Sequence, residues 1–139
     1  MKWMVICTGN TCRSPMGEGI LRQLLREHGH PEITVSSAGL SALEGDAPSE
    51  SAVEALDEIG IDISAHRSHR PSLAELADAD RIYVMTSAHR RSLELFLPEL
   101  ADKIRVAGVD DPYGFPLSAY CRCRDQLMDF FRREVEELL

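Results

Sequence analysis

The chain has 139 residues, of which 44% are hydrophobic and 27% charged, proportions that suit one globular domain with a core of its own. A formal net charge of −8 argues against the broad basic face of a nucleic-acid-binding protein, so we expect no nucleic-acid partner. No apolar run reaches membrane-spanning length and no signal-peptide pattern precedes the first strand, so we expect no membrane association and a cytoplasmic location.

Short apolar runs rich in β-branched residues predict four strands, and segments with apolar spacings of three and four predict the helices between them. The predicted strands are residues 2–7, 33–38, 81–85 and 104–107. The predicted helices begin near Ser14, at Pro48, at Ser72, at Thr86 or Ser87 and at Leu117. They end at Gly29, Gly60, about Ala77, before Pro98 and at Leu139. The second helix is expected to bury a stripe comprising Ala52, Val53, Ala55, Leu56 and Ile59.

Because strands alternate with helices along the whole chain, the fold class is α/β. We predict a single three-layer domain over residues 1–139, with a central four-stranded parallel sheet flanked by helices. The continuously apolar first strand agrees with this, since helices cover both faces of such a sheet.

The loop between the first strand and the first helix reads Cys7-Thr8-Gly9-Asn10-Thr11-Cys12-Arg13-Ser14-Pro15. A helix N-terminus offers unpaired N–H groups and a positive dipole end to an anion. Gly9 and Asn10 tolerate the left-handed backbone that lets successive N–H groups converge. Arg13 can hold two oxygens of an oxyanion, and cations and helix N-termini stabilise thiolates. The loop therefore predicts a site that holds a phosphate-like oxyanion against Cys7.

Phosphoryl transfer to sulfur leaves charge on the departing group, which a carboxylic acid can protonate. Asp111, which precedes Pro112 after the fourth strand, is the candidate acid, and Asp110 is the alternative. Both follow the carboxyl end of a strand, where ligands bind in parallel sheets. Asp110 could also favour the protonated form of its neighbour by like-charge repulsion or favour a cationic substrate, and the sequence leaves both open.

The four cysteines, at positions 7, 12, 121 and 123, are expected to be thiols. The Cys121-x-Cys123 spacing is shorter than zinc ligand pairs use and no second pair accompanies it, so we predict no metal site and a structural role for both. His69 and His89 are predicted to be surface residues.

The Cys-x5-Arg-Ser motif together with Asp-Pro-Tyr-Gly at 111–114 resembles the low-molecular-weight protein tyrosine phosphatase family. The likeness extends through Ser36-Ser37-Ala38-Gly39, through Gly60-Ile61-Asp62 with His66, and through Ala79-Asp80 leading into Met85-Thr86. It implies phosphorylated protein substrates and no cofactor, and we expect a monomer or weak dimer.

The resemblance also implies a role for each site residue. Cys7 would attack phosphorus and form a phosphocysteine, and Asp111 would protonate the leaving group and then activate water. The phosphate-binding residues would be Thr8, Gly9, Asn10, Thr11, Cys12, Arg13 and Ser14.

Supporting roles follow from the same resemblance. Ser14 would donate a hydrogen bond to the Cys7 sulfur, Asn10 with Ser37 and His66 would hold the loop in shape, and Tyr113 would form a wall of the cleft. In this family the cysteine at position 12 can form a reversible disulfide with the nucleophile, and packing is the alternative role.

Thr11 stands where tyrosine-directed members commonly carry isoleucine, and Thr-Gly-Asn-Thr-Cys-Arg-Ser-Pro is similar to the protein arginine phosphatase branch. A hydroxyl can help hold a planar guanidinium, whereas an aliphatic group favours an aryl ring. Tyr113 followed by Gly114 also fits that branch. We therefore predict a phosphatase for protein phosphoarginine, with a tyrosine phosphatase as the alternative.

Two other functions are alternatives on this fold. Arsenate reductases on this fold need two further cysteines in a mobile middle segment, and residues 64–101 contain none. A non-enzymatic phosphate-binding module would not need both Cys7 and Asp111.

Overall fold

The protein, seen in a computed structural model that describes residues 1–138, alternates four strands with five α-helices over that range. The strands are β1 (Lys2–Cys7), β2 (Thr34–Gly39), β3 (Arg81–Val84) and β4 (Ile104–Val106). The helices are α1 (Arg13–Glu27), α2 (Glu50–Asp57), α3 (Leu73–Asp78), α4 (Ser87–Phe96) and α5 (Leu117–Glu136). A 3₁₀ helix over Pro98–Lys103 joins α4 to β4.

The four strands form one parallel sheet in the order β2-β1-β3-β4. Successive side chains of a strand point to opposite faces, so β1 supplies both halves of the core. Trp3 and Val5 pack among residues of α1, α2 and α5, whereas Met4 and Ile6 pack among residues of α3 and α4. This arrangement confirms the predicted α/β domain with a four-stranded parallel sheet flanked by helices.

The helix boundaries differ from the predicted ones by a few residues. Helix α2 begins at Glu50, because the Ser49 side chain accepts a hydrogen bond from the N–H of Ala52 and caps the helix there, not at Pro48. Ile59 lies beyond the end of α2 and is 40% exposed, so its predicted burial is wrong. Helix α5 ends at Glu136, and position 139, its predicted end, lies outside the described residues.

The order of the strands places a crevice at the carboxyl end of β1. The connection after β1 leads to β2 on one side of β1, and the connection after β3 leads to β4 on the opposite side. The two connections therefore diverge at the carboxyl ends of β1 and β3. At the end of β2, a Cβ atom on Gly39 would lie 2.6 Å from the Thr8 carbonyl oxygen. Only glycine therefore lets the loop after β1 approach β2 this closely. Within the described residues, no helix has both the length and the apolar character needed to cross a membrane.

Candidate active site

Cys7 is the last residue of β1, and its side chain lies at the floor of the loop that leads into α1. Cys7 as a whole is 2% exposed. The Ser14 hydroxyl oxygen lies 2.9 Å from Sγ, and the backbone N–H of Asn10 donates to Sγ over 3.3 Å. Two polar groups thus meet one sulfur, an arrangement that can hold negative charge on it.

Asn10 makes hydrogen bonds that connect the loop to other parts of the chain. It is fully buried and has a φ of 59°, the one non-glycine residue with positive φ in the range 1–138. Its side-chain amide donates to Ser14 Oγ over 2.7 Å and to Ser37 Oγ over 3.1 Å, and its Oδ1 accepts from the backbone N–H of His69 over 3.1 Å. His66 Nε2 lies 2.8 Å from the Asn10 carbonyl oxygen. These contacts fix a left-handed residue and the peptide groups beside it.

Arg13, the first residue of α1, is buried and lies between the loop and the segment after β4. Its guanidinium donates to the carbonyl of Val109 over 3.0 Å, and another of its nitrogens lies 3.7 Å from an Asp111 oxygen. Within the described part of the chain, no side chain caps the N-terminus of α1. The guanidinium and the free N–H groups of the first helical turn are therefore available to an oxyanion.

A cavity of about 230 Å³ opens above the Cys7 sulfur. It is lined by Cys7, Thr8, Gly9, Thr11, Cys12, Arg13, Asp111 and Tyr113. Tyr113 is 71% exposed, and its backbone N–H donates to Asp111 Oδ1 over 3.1 Å. The turn thus holds one oxygen of the half-exposed Asp111 carboxylate and leaves the other oxygen facing Arg13.

Asp110, the alternative acid, does not line this cavity. It lines a neighbouring cavity of about 210 Å³, whose other lining residues include Asp111, Phe115 and Arg122. Of the two adjacent carboxylates, the structure therefore brings only Asp111 to the cavity of Cys7.

His89 is a site residue that the sequence reasoning missed. The prediction that it lies at the surface is wrong, because the side chain is only 8% exposed and its Nε2 lies 2.8 Å from Thr8 Oγ1. Burial lowers the pKa of His89, as does the positive charge of Arg13, while Asp111 acts in the opposite direction. The sequence signal for this position is the Thr86-x-x-His89 spacing of a helix cap. The cap follows β3, which pairs with β1, so it lies near the loop after β1.

His69 is half-buried rather than at the surface, since its backbone N–H contacts Asn10 and its ring lies 3.0 Å from a Glu75 oxygen. Both histidines that were predicted to lie at the surface therefore contact the loop after β1.

The cysteines, all within the described residues, are free. Cys12 is buried, with Sγ 3.5 Å from Ser49 Oγ and 3.6 Å from the Tyr120 hydroxyl. Burial and the contact with Cys12 raise the pKa of Tyr120 to about 12. Burial likewise raises the pKa of Cys123 to about 12, so its thiol is protonated at neutral pH. Cys123 packs in the core as part of α5.

Proteins similar to this chain include phosphatases and an arsenate reductase. The family described as low molecular weight phosphotyrosine protein phosphatase matches residues 2–138. A protein-arginine-phosphatase of Geobacillus stearothermophilus is 37% identical, over 97% of this chain and 94% of the relative. Arsenate reductase 2 of Staphylococcus epidermidis is 37% identical, over 88% of this chain and 86% of the relative.

A solved phosphatase structure has the same fold as this chain. The crystal structure of a low molecular weight protein tyrosine phosphatase from T. tengcongensis superposes with a TM-score of 0.93 and is 40% identical, and the alignment covers 99% of each chain. The match over nearly the whole sequence and the agreement of the fold lead to one conclusion: the chain belongs to the low molecular weight phosphotyrosine protein phosphatase family.

Proposed function

We propose that the protein hydrolyses phosphorylated side chains of proteins through a phosphocysteine intermediate, and that its substrate is protein phosphoarginine. The geometry that supports the chemistry is the convergence of Cys7, Arg13 and Asp111 on one cavity. The observation that carries the choice of arginine is Thr11, which lines the same cavity.

The reaction proceeds in two transfers of one phosphoryl group. The Cys7 thiolate attacks phosphorus, the bond from phosphorus to the guanidino nitrogen breaks, and that nitrogen takes a proton from the Asp111 carboxyl. Water then attacks phosphorus, gives a proton to the Asp111 carboxylate and breaks the phosphorus–sulfur bond, which releases phosphate and restores the thiolate.

Arg13 and the N–H groups of the loop and of the first turn of α1 stabilise the charge on the equatorial oxygens in both steps. Such stabilisation by fixed donors is effective because it requires no reorganisation as the reaction proceeds. The contacts of Asn10 with Ser14, Ser37 and His66 keep those donors in place. Ser14 also donates to the sulfur as it leaves phosphorus.

The test of this function compares peptides that carry phosphoarginine with matched peptides that carry phosphotyrosine. We expect a higher kcat/KM for phosphoarginine, measured by phosphate release under identical conditions. A clear preference for phosphotyrosine would establish the alternative, a low-molecular-weight protein tyrosine phosphatase.

Replacing Thr11 by isoleucine should shift the preference toward phosphotyrosine. Threonine and isoleucine are both branched at Cβ, so the substitution replaces the hydroxyl by a larger apolar group in the cavity wall. One hydrogen bond of ordinary strength corresponds to about a tenfold change in the ratio of the two kcat/KM values. The Thr11→Ser variant keeps the hydroxyl and is the matched control. An unchanged ratio in Thr11→Ile would remove the argument from this residue.

Arsenate reduction is less well supported, although an arsenate reductase is among the relatives. A disulfide relay needs accessible thiols beyond Cys7 and Cys12. Cys123 is buried, and burial raises the pKa of both Cys121 and Cys123, which makes neither a ready thiolate. Thioredoxin-dependent turnover of arsenate would reverse this choice.

The cytoplasmic location, the monomeric or weakly dimeric state and the regulatory disulfide between Cys7 and Cys12 stay predictions. Cys7 and Cys12 line one cavity, which supports the proposed disulfide.

A further inference from the structure

The hydrogen-bond partners of His89 determine which of its ring nitrogens carries the proton. His89 lies in the first turn of α4, and its Nδ1 is 3.2 Å from the backbone nitrogen of Thr86, which donates to it. A backbone N–H can only donate, so Nδ1 is the accepting, unprotonated nitrogen. Burial and Arg13 lower the pKa of His89, so the ring is neutral at pH 7 and carries its hydrogen on Nε2.

This tautomer fixes the direction of the contact with Thr8. The Nε2–H group donates to Thr8 Oγ1 over 2.8 Å, which occupies a lone pair of the hydroxyl. The hydroxyl hydrogen of Thr8 then needs an acceptor elsewhere, and among the described residues this side chain makes no other hydrogen bond. Thr8 is an exposed residue directly after Cys7, and it lines the cavity of about 230 Å³.

We propose that His89 is a positioning residue that turns the hydroxyl hydrogen of Thr8 into the cavity, where Thr8 donates to an oxygen of the bound phosphoryl group. The proposal rests on the proposed function for its kinetic consequences, but the binding of an oxyanion by Thr8 does not require turnover. It adds a side-chain donor to the backbone donors of the loop and extends the site to α4.

Four single substitutions separate the contact with Thr8 from the cap of α4. Thr8→Val removes the hydroxyl and keeps the shape of the side chain, whereas Thr8→Ser keeps the hydroxyl. His89→Asn keeps an acceptor for the Thr86 N–H but is too short to reach Thr8. His89→Gln places an amide N–H near the position of Nε2 and gives up the contact with Thr86.

We expect Thr8→Val and His89→Asn each to lower kcat/KM for a phosphopeptide by about tenfold, the effect of one hydrogen bond. Thr8→Ser and His89→Gln should retain most of the parent activity. Because His89 acts through Thr8, the Thr8→Val/His89→Asn double variant should lose no more than Thr8→Val alone. Multiplicative losses in the double variant, or parent activity in Thr8→Val, would overturn the proposal.

Binding of inorganic phosphate, measured by calorimetry on the same variants, provides a readout that is independent of turnover. The Kd should rise about tenfold in Thr8→Val and His89→Asn and should stay near the parent value in Thr8→Ser and His89→Gln. If the parent protein binds phosphate with this pattern but releases none from phosphopeptides, the proposed function fails and the role of His89 stands. An unchanged Kd in Thr8→Val contradicts the role of His89 whatever the activity.

Discussion

The Cys7→Ser variant is expected to lose at least about 10⁴-fold in the rate of phosphopeptide hydrolysis, as enzymes do when the covalent nucleophile is removed. A serine hydroxyl is almost wholly protonated at neutral pH and needs a general base to attack phosphorus. The groups that contact Sγ in the described residues are the Ser14 hydroxyl and the Asn10 N–H, and neither is a base. The measurement is phosphate release in steady state, together with mass spectrometry of the quenched parent enzyme to detect the phosphorylated cysteine.

Cys121→Ser is the matched control for this substitution. Cys121 lies on α5, where its thiol contacts the Glu58 carboxylate, and it is not part of the cavity. Its variant should hydrolyse the peptide at the parent rate. Normal turnover by Cys7→Ser would exclude a phosphocysteine and with it the mechanism proposed above.

The second large effect is expected for Asp111→Asn, which should lower kcat for a phosphoarginine peptide by about 10²–10⁴-fold, the contribution of a general acid. An amide of the same shape can still accept from the Tyr113 N–H but has no proton to transfer. The loss should be much smaller for p-nitrophenyl phosphate, whose leaving group departs readily without a proton. Parallel measurement of both substrates therefore separates acid catalysis from a disturbed turn.

Asp110→Asn removes the same charge one residue earlier and is the control for Asp111→Asn. Because Asp110 lines the neighbouring cavity, its variant should keep most of the activity. If instead Asp110→Asn loses activity and Asp111→Asn does not, the general acid is Asp110 and not Asp111.

The architecture was predictable because its signals are local. The apolar run of β1, the capping box at Ser72 and Glu75, and the glycine and proline residues after the helices all act within a few positions of the chain. The errors at the helix boundaries have a local cause as well. The predicted start of α2 at Pro48 is two residues early, because Ser49 caps the helix through its hydrogen bond with the Ala52 N–H.

The side-chain contacts of the site were harder to predict from the residues themselves. The motif from Cys7 to Arg13 indicates an oxyanion site by its composition, but His89 contacts Thr8 across 81 positions of the chain. Cys12 meets Tyr120 across 108 positions. Such contacts depend on the strand order, which brings distant segments together and is not encoded in a local pattern.

The environment of Asn10 ties the chemistry of the loop to the cooperativity of folding. The groups that hold this residue come from α1, from β2 and from the segment between α2 and α3, so the loop acquires its geometry only when these parts have assembled. An oxyanion that binds the loop therefore recognises the folded domain and not the unfolded chain, and its binding free energy adds to the stability of the whole domain. A destabilising substitution at a distance, in the core between α1 and α5, would thus weaken apparent phosphate affinity once the unfolded fraction becomes appreciable, with no change at the site itself.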